Sequence, residues 1–153
     1  MKFLADHMLG SLAKWLRFFG FDTAYPKVLP DKELIALAKR EERIVLTRDK
    51  DLANVKGIEA LYIKSTDLEE QLMEIITRFN LKITNEFSRC SLCNSILIEV
   101  EKGQVKGKVP EKVYDWQDEY WECPKCQKYY WQGTHFQGIK EKLEKLKRKT
   151  PAA

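Results

Sequence analysis

Histidine is scarce in this chain: His7 and His135 are the whole supply in 153 residues. With so few, no plausible Ser/His/Asp set can be assembled for nucleophilic catalysis. His7 beside Asp6 reads as local packing or support for its neighbour, and His135 as a structural hydrogen-bonding residue. Long apolar runs are also missing. Nothing approaches the roughly 20 residues a membrane-spanning helix requires, and the opening MKFLAD lacks a signal-peptide pattern, so a cytoplasmic protein is expected. A Walker-type glycine loop and a G-x-G-x-x-G turn are both absent, which weakens nucleotide-cofactor readings. No internal repeat or low-complexity segment stands out beyond a lysine-rich end. Excess charge is small: 27 Lys and Arg against 23 Asp and Glu leave +4, too little to establish a nucleic-acid partner by itself. Most of the excess lies in Lys140, Lys142, Lys145, Lys147, Arg148 and Lys149. That tail could follow a phosphate backbone, although such a helix face is more often simply solvated.

What is present describes a globular chain, with 44% hydrophobic and 33% charged residues. Residues 1–84 alternate short apolar runs with helical periodicities. Lys2–Ala5, Phe21–Tyr25, Ile44–Thr47 and Ala60–Ile63 read as strands. Met8–Phe19 carries Leu9, Leu12, Ala13, Trp15, Leu16 and Phe19 at helical spacing, with Gly20 as its C-cap. Asp31 opens a second helix, and Asp67 with Glu70 opens a third in the manner of a capping box. This order predicts an α/β fold: a parallel sheet sandwiched by helices. The character changes after Asn85, where cysteines appear and aromatics thicken. The expected organisation is residues 1–84 as the α/β domain, 85–135 as a cysteine module, and 136–153 as a basic helix and tail. Phe136, Ile139, Leu143 and Leu146 form the apolar stripe of that helix.

All four cysteines fall in two C-x-x-C knuckles, Cys90-Ser-Leu-Cys93 and Cys123-Pro-Lys-Cys126. Each knuckle offers two thiolates from one tight turn, and two of them complete a tetrahedral Zn²⁺ site. The wide separation is expected to hold a hairpin, Ile96–Val100 with Val105–Val109 around Gly103. Four cysteine ligands leave no open coordination position, so this zinc would be structural.

In a parallel α/β sheet the loops after the strands emerge at one edge. Asp6 follows the first strand, Asp31 the second, and Asp49 and Asp51 the third. Each could instead cap a helix. Together, four acids from three loops suit an oxygen-seeking Mg²⁺ or Mn²⁺, and carboxylate-held divalent ions serve nucleases and polymerases. Lys14 and Arg17 on the first helix, with Arg48 between the acids, are candidates for phosphate contact. Trp116, Tyr129 and Trp131 could stack on bases, but a core role is expected for at least two of them.

Three stretches, MKFLADHMLGSLAKWLRFFGFDT, PDKELIALA and IVLTRDKDL, resemble the PIN-like RNases of the Mut-seven C-terminal family. The resemblance continues through RCSLC, CPKC and YWQGTHF and covers nearly the whole chain. It implies a PIN fold followed by a zinc ribbon, and a metal-dependent endoribonuclease site on Asp6, Asp31, Asp49 and Asp51, with Thr47 as the hydroxyl beside them. Many PIN nucleases carry glutamate as the second acid; the matching helix here begins with Asp31. The resulting expectation is a Mg²⁺- or Mn²⁺-dependent ribonuclease acting on single-stranded RNA, with structural Zn²⁺. The alternative is a non-catalytic RNA- or ribosome-binding zinc-ribbon protein.

Overall fold

The computed structural model describes residues 1–150, which divide into two compact units, the first Met1–Asn94 and the second beginning at Ser95. No helix among the described residues is long and apolar enough to cross a membrane.

The first unit is built on four parallel strands: β1 (Lys2–Ala5), β2 (Asp22–Ala24), β3 (Ile44–Thr47) and β4 (Ala60–Tyr62), in the order β2-β1-β3-β4. The two central strands are apolar almost throughout and buried on both faces, as sheets covered by helices demand. Leu4 of β1 and Val45 of β3 point to one face, where they cluster with Leu34 and Ala38 of helix α2 (Asp31–Glu41) and Leu52 of the short helix α3 (Lys50–Ala53). Against the other face, helix α1 (Gly10–Phe18) packs beside α4 (Leu68–Arg78). Phe3 meets Phe21 and Phe79 there, edge to face, with centroids 6.2 and 5.6 Å away.

The expected Met8–Phe19 helix divides into a single 3₁₀ turn, His7–Leu9, and α1. Its end is a Schellman motif: Phe21 N–H donates to Leu16 O at 2.9 Å and Gly20 N–H to Arg17 O at 3.0 Å. Gly20 has φ +91°, and a Cβ there would lie 2.2 Å from Asn85 O. Glycine is required on both counts. Residues 85–94 return to this corner, where Phe87 N–H donates to Phe18 O and Arg89 Nε to Gly20 O.

The second unit holds a three-stranded antiparallel sheet, β5 (Ile98–Val100), β6 (Tyr120–Glu122) and β7 (Tyr129–Tyr130), in the order β5-β6-β7. The expected hairpin between Ile96 and Val109 does not form. Glu101 and Gln104 make a reciprocal capping box that turns Lys102–Val105 into a helix, α5, and β5 finds its partner in β6 about twenty residues later. Tyr120 is buried, with its hydroxyl donating to Val113 O at 2.9 Å beside the short helix α6 (Glu111–Trp116). The last helix, α7 (Thr134–Lys149), buries Leu143 and Leu146 and half-buries Phe136 and Ile139, which is the predicted stripe. Lys147, Arg148 and Lys149 fill its final turn, where cations suit the helix dipole.

Candidate active edge and cysteine cluster

Strand order decides where a site can form. The chain leaves β1 towards β2 on one side and returns past β1 to place β3 on the other, so β1 and β3 are the strands at which the winding reverses. The crevice beyond the carboxyl ends of such a pair is the usual ligand position in open α/β sheets. Asp6 follows β1 directly, and Thr47 ends β3.

Side-chain alternation sends Asp6 and Thr47 to the same face as Leu4 and Val45. Asp6 is only 3% exposed and Thr47 fully buried. The Thr47 hydroxyl donates to Asp6 Oδ2 at 2.8 Å and accepts the Asp49 N–H at 2.9 Å. One hydroxyl thus ties the loop after β1 to the loop after β3. Asp6 Oδ1 accepts the His7 N–H at 2.6 Å and lies 2.8 Å from His7 Nδ1. The His7 ring remains 66% exposed, and the Tyr25 hydroxyl donates to the His7 carbonyl at 2.7 Å. His7 and Tyr25 are the site neighbours that sequence undervalued. His7 is adjacent to Asp6 in the chain and could have been promoted; nothing local marks Tyr25.

Cap and site readings divide among the four acids. Asp49 is a true N-cap, its Oδ1 accepting from Asp51 N–H at 2.8 Å and more weakly from Leu52 N–H at 3.5 Å. Asp31 caps nothing; Pro30 holds the N-cap position of α2, and the exposed Asp31 carboxylate stands in its first turn. Asp51 is also exposed, in the first turn of α3. Among the described residues, no three acids bring carboxylate oxygens within 4.8 Å of one another. The shared edge is therefore real as topology, but the quartet is not drawn together as a finished cage. A fifth acid, Asp67, follows β4 and caps α4, accepting Glu70 N–H at 2.9 Å, while the Glu70 carboxylate turns to the Ser65 hydroxyl.

The basic residues separate as well. Arg17 is 5% exposed, donating from Nε to Thr23 O at 2.9 Å and from Nη1 to Ser91 O at 3.0 Å. Its expected phosphate contact is corrected accordingly, because a guanidinium buried against two carbonyls is a tie within the fold. Lys14, one turn earlier, is exposed. Arg48 is half-buried, donating from Nη2 to Lys64 O at 3.3 Å, and its buried Nε has no hydrogen-bond partner. Such an orphaned donor is uncommon and suits an anion or water. The aromatic expectation also changes, since Trp116 is 84% exposed and Tyr129 and Trp131 are only half-buried.

The sulfur atoms of Cys90, Cys93, Cys123 and Cys126 all lie within 4.8 Å of one another. Both knuckles use one turn design. The residue after the second cysteine has positive φ, +75° at Asn94 and +58° at Gln127, and its N–H returns to the first cysteine's carbonyl at 2.9 and 2.8 Å. Cys126 N–H also points to Cys123 Sγ at 3.3 Å. Asn94 accepts the Thr23 N–H at 2.9 Å and donates to Asp22 Oδ1 at 2.7 Å. Together with Arg17 on Ser91, these bonds build the first knuckle into the α/β unit. Four convergent thiols are the donor set that tetrahedral zinc prefers, so this cluster could bind zinc.

Fold and edge define an α/β protein with a carboxylate-bearing switch point and a four-cysteine cluster. The chain matches the Mut7-C RNAse domain over residues 1–143 and belongs to that family. Neither the curated proteins nor the solved structures gave a match. The family's name carries ribonuclease activity and hence RNA as substrate class.

Proposed function

We propose that the protein is a Mg²⁺- or Mn²⁺-dependent endoribonuclease of PIN type acting on single-stranded RNA, with Asp6 and Asp49 as its principal carboxylates. The observation that carries this reading is the Thr47 hydroxyl joining Asp6 to the Asp49 backbone at the β1/β3 switch point. The acids there offer oxygen donors and no cysteine lies among them, which fits a hard divalent ion. Asp6 and Asp49 would hold it, supported by Asp31 and Asp51 from the neighbouring loops. When bound, such an ion neutralises charge on the phosphodiester and activates water.

The chain's own groups do the positioning. Thr47 fixes the orientation of the Asp6 carboxylate and the start of the Asp49 loop. Asp49 keeps Oδ1 on its helix cap, so Oδ2 is the oxygen it can turn to a ligand. His7 holds the other Asp6 oxygen, and Arg48 with Lys14 supplies positive charge for flanking phosphates. Cys90, Cys93, Cys123 and Cys126 would hold a structural zinc of a ribbon, with no role in bond cleavage.

The test is cleavage of 5′-labelled single-stranded RNA by metal-free protein with Mg²⁺ or Mn²⁺ added back, compared with Asp6→Asn and Asp49→Asn. Each substitution should lower the rate at least about a hundredfold, the scale of losing one preorganised catalytic group. Cleavage indifferent to both substitutions would overturn the reading. A second reading, RNA binding without turnover, is favoured by two observations: Asp49 caps a helix, and among the described residues no three acids bring carboxylate oxygens within 4.8 Å of one another. It predicts salt-sensitive RNA binding and intact RNA under every metal condition.

A further inference from the structure

The second unit contains a groove of about 670 Å³ that the acidic edge does not involve, lined by Lys108, Glu122, Gln127, Lys128, Tyr129 and Trp131 among others. Its size falls within the roughly 300–1,000 Å³ of small-molecule sites. Tyr129 lies in β7 and Trp131 follows just beyond it, and both line the groove. Lys108 and Lys128 are exposed, and their ammonium groups already lie over aromatic rings, Lys108 Nζ 5.8 Å from the Tyr129 centroid and Lys128 Nζ 5.2 Å from that of Tyr130. Half-buried aromatic faces, one cation over Tyr129, a second lining lysine over the neighbouring Tyr130, and hydrogen-bonding groups on Glu122 and Gln127 make a distinctive combination.

A protein core would bury these rings, and a solvated surface would not gather two of them into a concavity. Apolar ligands would have no use for the lysines. A small anion would have no use for Tyr129 and Trp131, and the Glu122 carboxylate would repel it. An unpaired nucleotide uses all of these features: its base stacks on an aromatic face, its phosphates meet the ammonium groups, and its edge meets Glu122 and Gln127. We propose that this groove is a base-stacking subsite for single-stranded RNA, formed by Tyr129 and Trp131 between Lys108 and Lys128. Bases within a duplex are already stacked on each other and cannot enter, so the groove selects the unpaired strand. The inference rests on RNA as the substrate class and is independent of whether the acidic edge cleaves it.

The experiment titrates a fluorescein-labelled decamer of single-stranded RNA with full-length protein carrying Asp6→Asn, which removes one of the two principal carboxylates of the proposed cleavage site. A duplex of the same length is titrated in parallel. On that background, Trp131→Leu should weaken single-strand binding about tenfold or more, the scale of one base–aromatic stack. Lys108→Gln with Lys128→Gln should flatten the log–log salt dependence by about 0.7 per lysine. These lysines are exposed, so the pair tests the groove even if Trp131→Leu fails to fold. Equal affinity for single strand and duplex, or an unchanged salt slope in the lysine variant, would overturn the subsite. Binding lost in the groove variants of a protein that never cleaves RNA would sustain the subsite and sink the nuclease reading. Unaltered binding in variants of an active nuclease would do the reverse.

Discussion

Replacing Thr47 with valine removes one oxygen and little volume, so it isolates the hydroxyl that joins the two acidic loops. Two hydrogen bonds disappear: the donation to the Asp6 carboxylate at 2.8 Å and the acceptance of the Asp49 N–H at 2.9 Å. A hydrogen bond to a charged group contributes about 1.5–3 kcal/mol and a neutral one about 0.5–1.5 kcal/mol. The added methyl at this fully buried position returns about 0.8 kcal/mol of apolar burial. The balance is a loss of roughly 1–4 kcal/mol, with no cavity to add to it. With a urea slope of about 1–3 kcal/mol per molar, the midpoint should fall by about 1 M. Thr47→Ser keeps the hydroxyl and should remain much closer to the native midpoint, short only of one methyl. Far-UV circular dichroism against urea measures both variants, and RNA cleavage measured in native buffer should separate them in the same order. A valine variant as stable and as active as the native protein would refute the argument, because Asp6 and Asp49 would then be positioned without their shared partner.

Three further outcomes follow from the surroundings of the site. Arg17→Met should cost about 2–4 kcal/mol, since it strands the Thr23 and Ser91 carbonyls while relieving the burial of a charge; urea unfolding checks the cost, and faster loss of bound zinc to a chelator would report the loosened first knuckle. Burial raises the Asp22 pKa, but hydrogen bonds from Arg43 and Asn94 and the charges of Arg43 and Arg89 outweigh it and hold the carboxyl below its ordinary value. Its stabilising contribution is therefore present above the unfolded value and is lost as pH falls through the depressed one. Asp22→Asn should melt below the native protein at pH 6, with the gap closing below about pH 4; a gap independent of pH would contradict the pairing. Cys123→Ser should reduce zinc content, measured by atomic emission, from about one per chain to near none, and full retention would count against the four-thiolate site.

Much of the first unit could be read from local pattern. The apolar runs Lys2–Ala5 and Ile44–Thr47 became the two central strands, and the helix starts at Asp31 and Asp67 fell where the sequence signals put them. These features are encoded within a few residues: caps, periodicity, and Gly20 at the end of α1. The hairpin reading of residues 96–109 failed for a matching reason. Ile98–Val100 is a strand, but its partner lies about twenty residues on, while the local capping box of Glu101 and Gln104 turned the intervening chain helical. Pairing partners are a tertiary decision and leave no mark on the strand itself.

The chemistry divides in the same way. Sequence by itself determined the donor types: four cysteines in two knuckles whose turns are local, and aspartates after strands whose parallel direction sends every exit loop to one edge. Tertiary structure alone decided which of those acids meet. Thr47 reaches Asp6 across 41 positions because β1 and β3 are neighbours at the switch point. Arg17 illustrates the converse, since a cation on an amphipathic helix looks available until residues 85–94 fold back and bury it on Ser91. Side-chain chemistry is a property of the residue, whereas partnership depends on strand order and on which distant backbone closes over it.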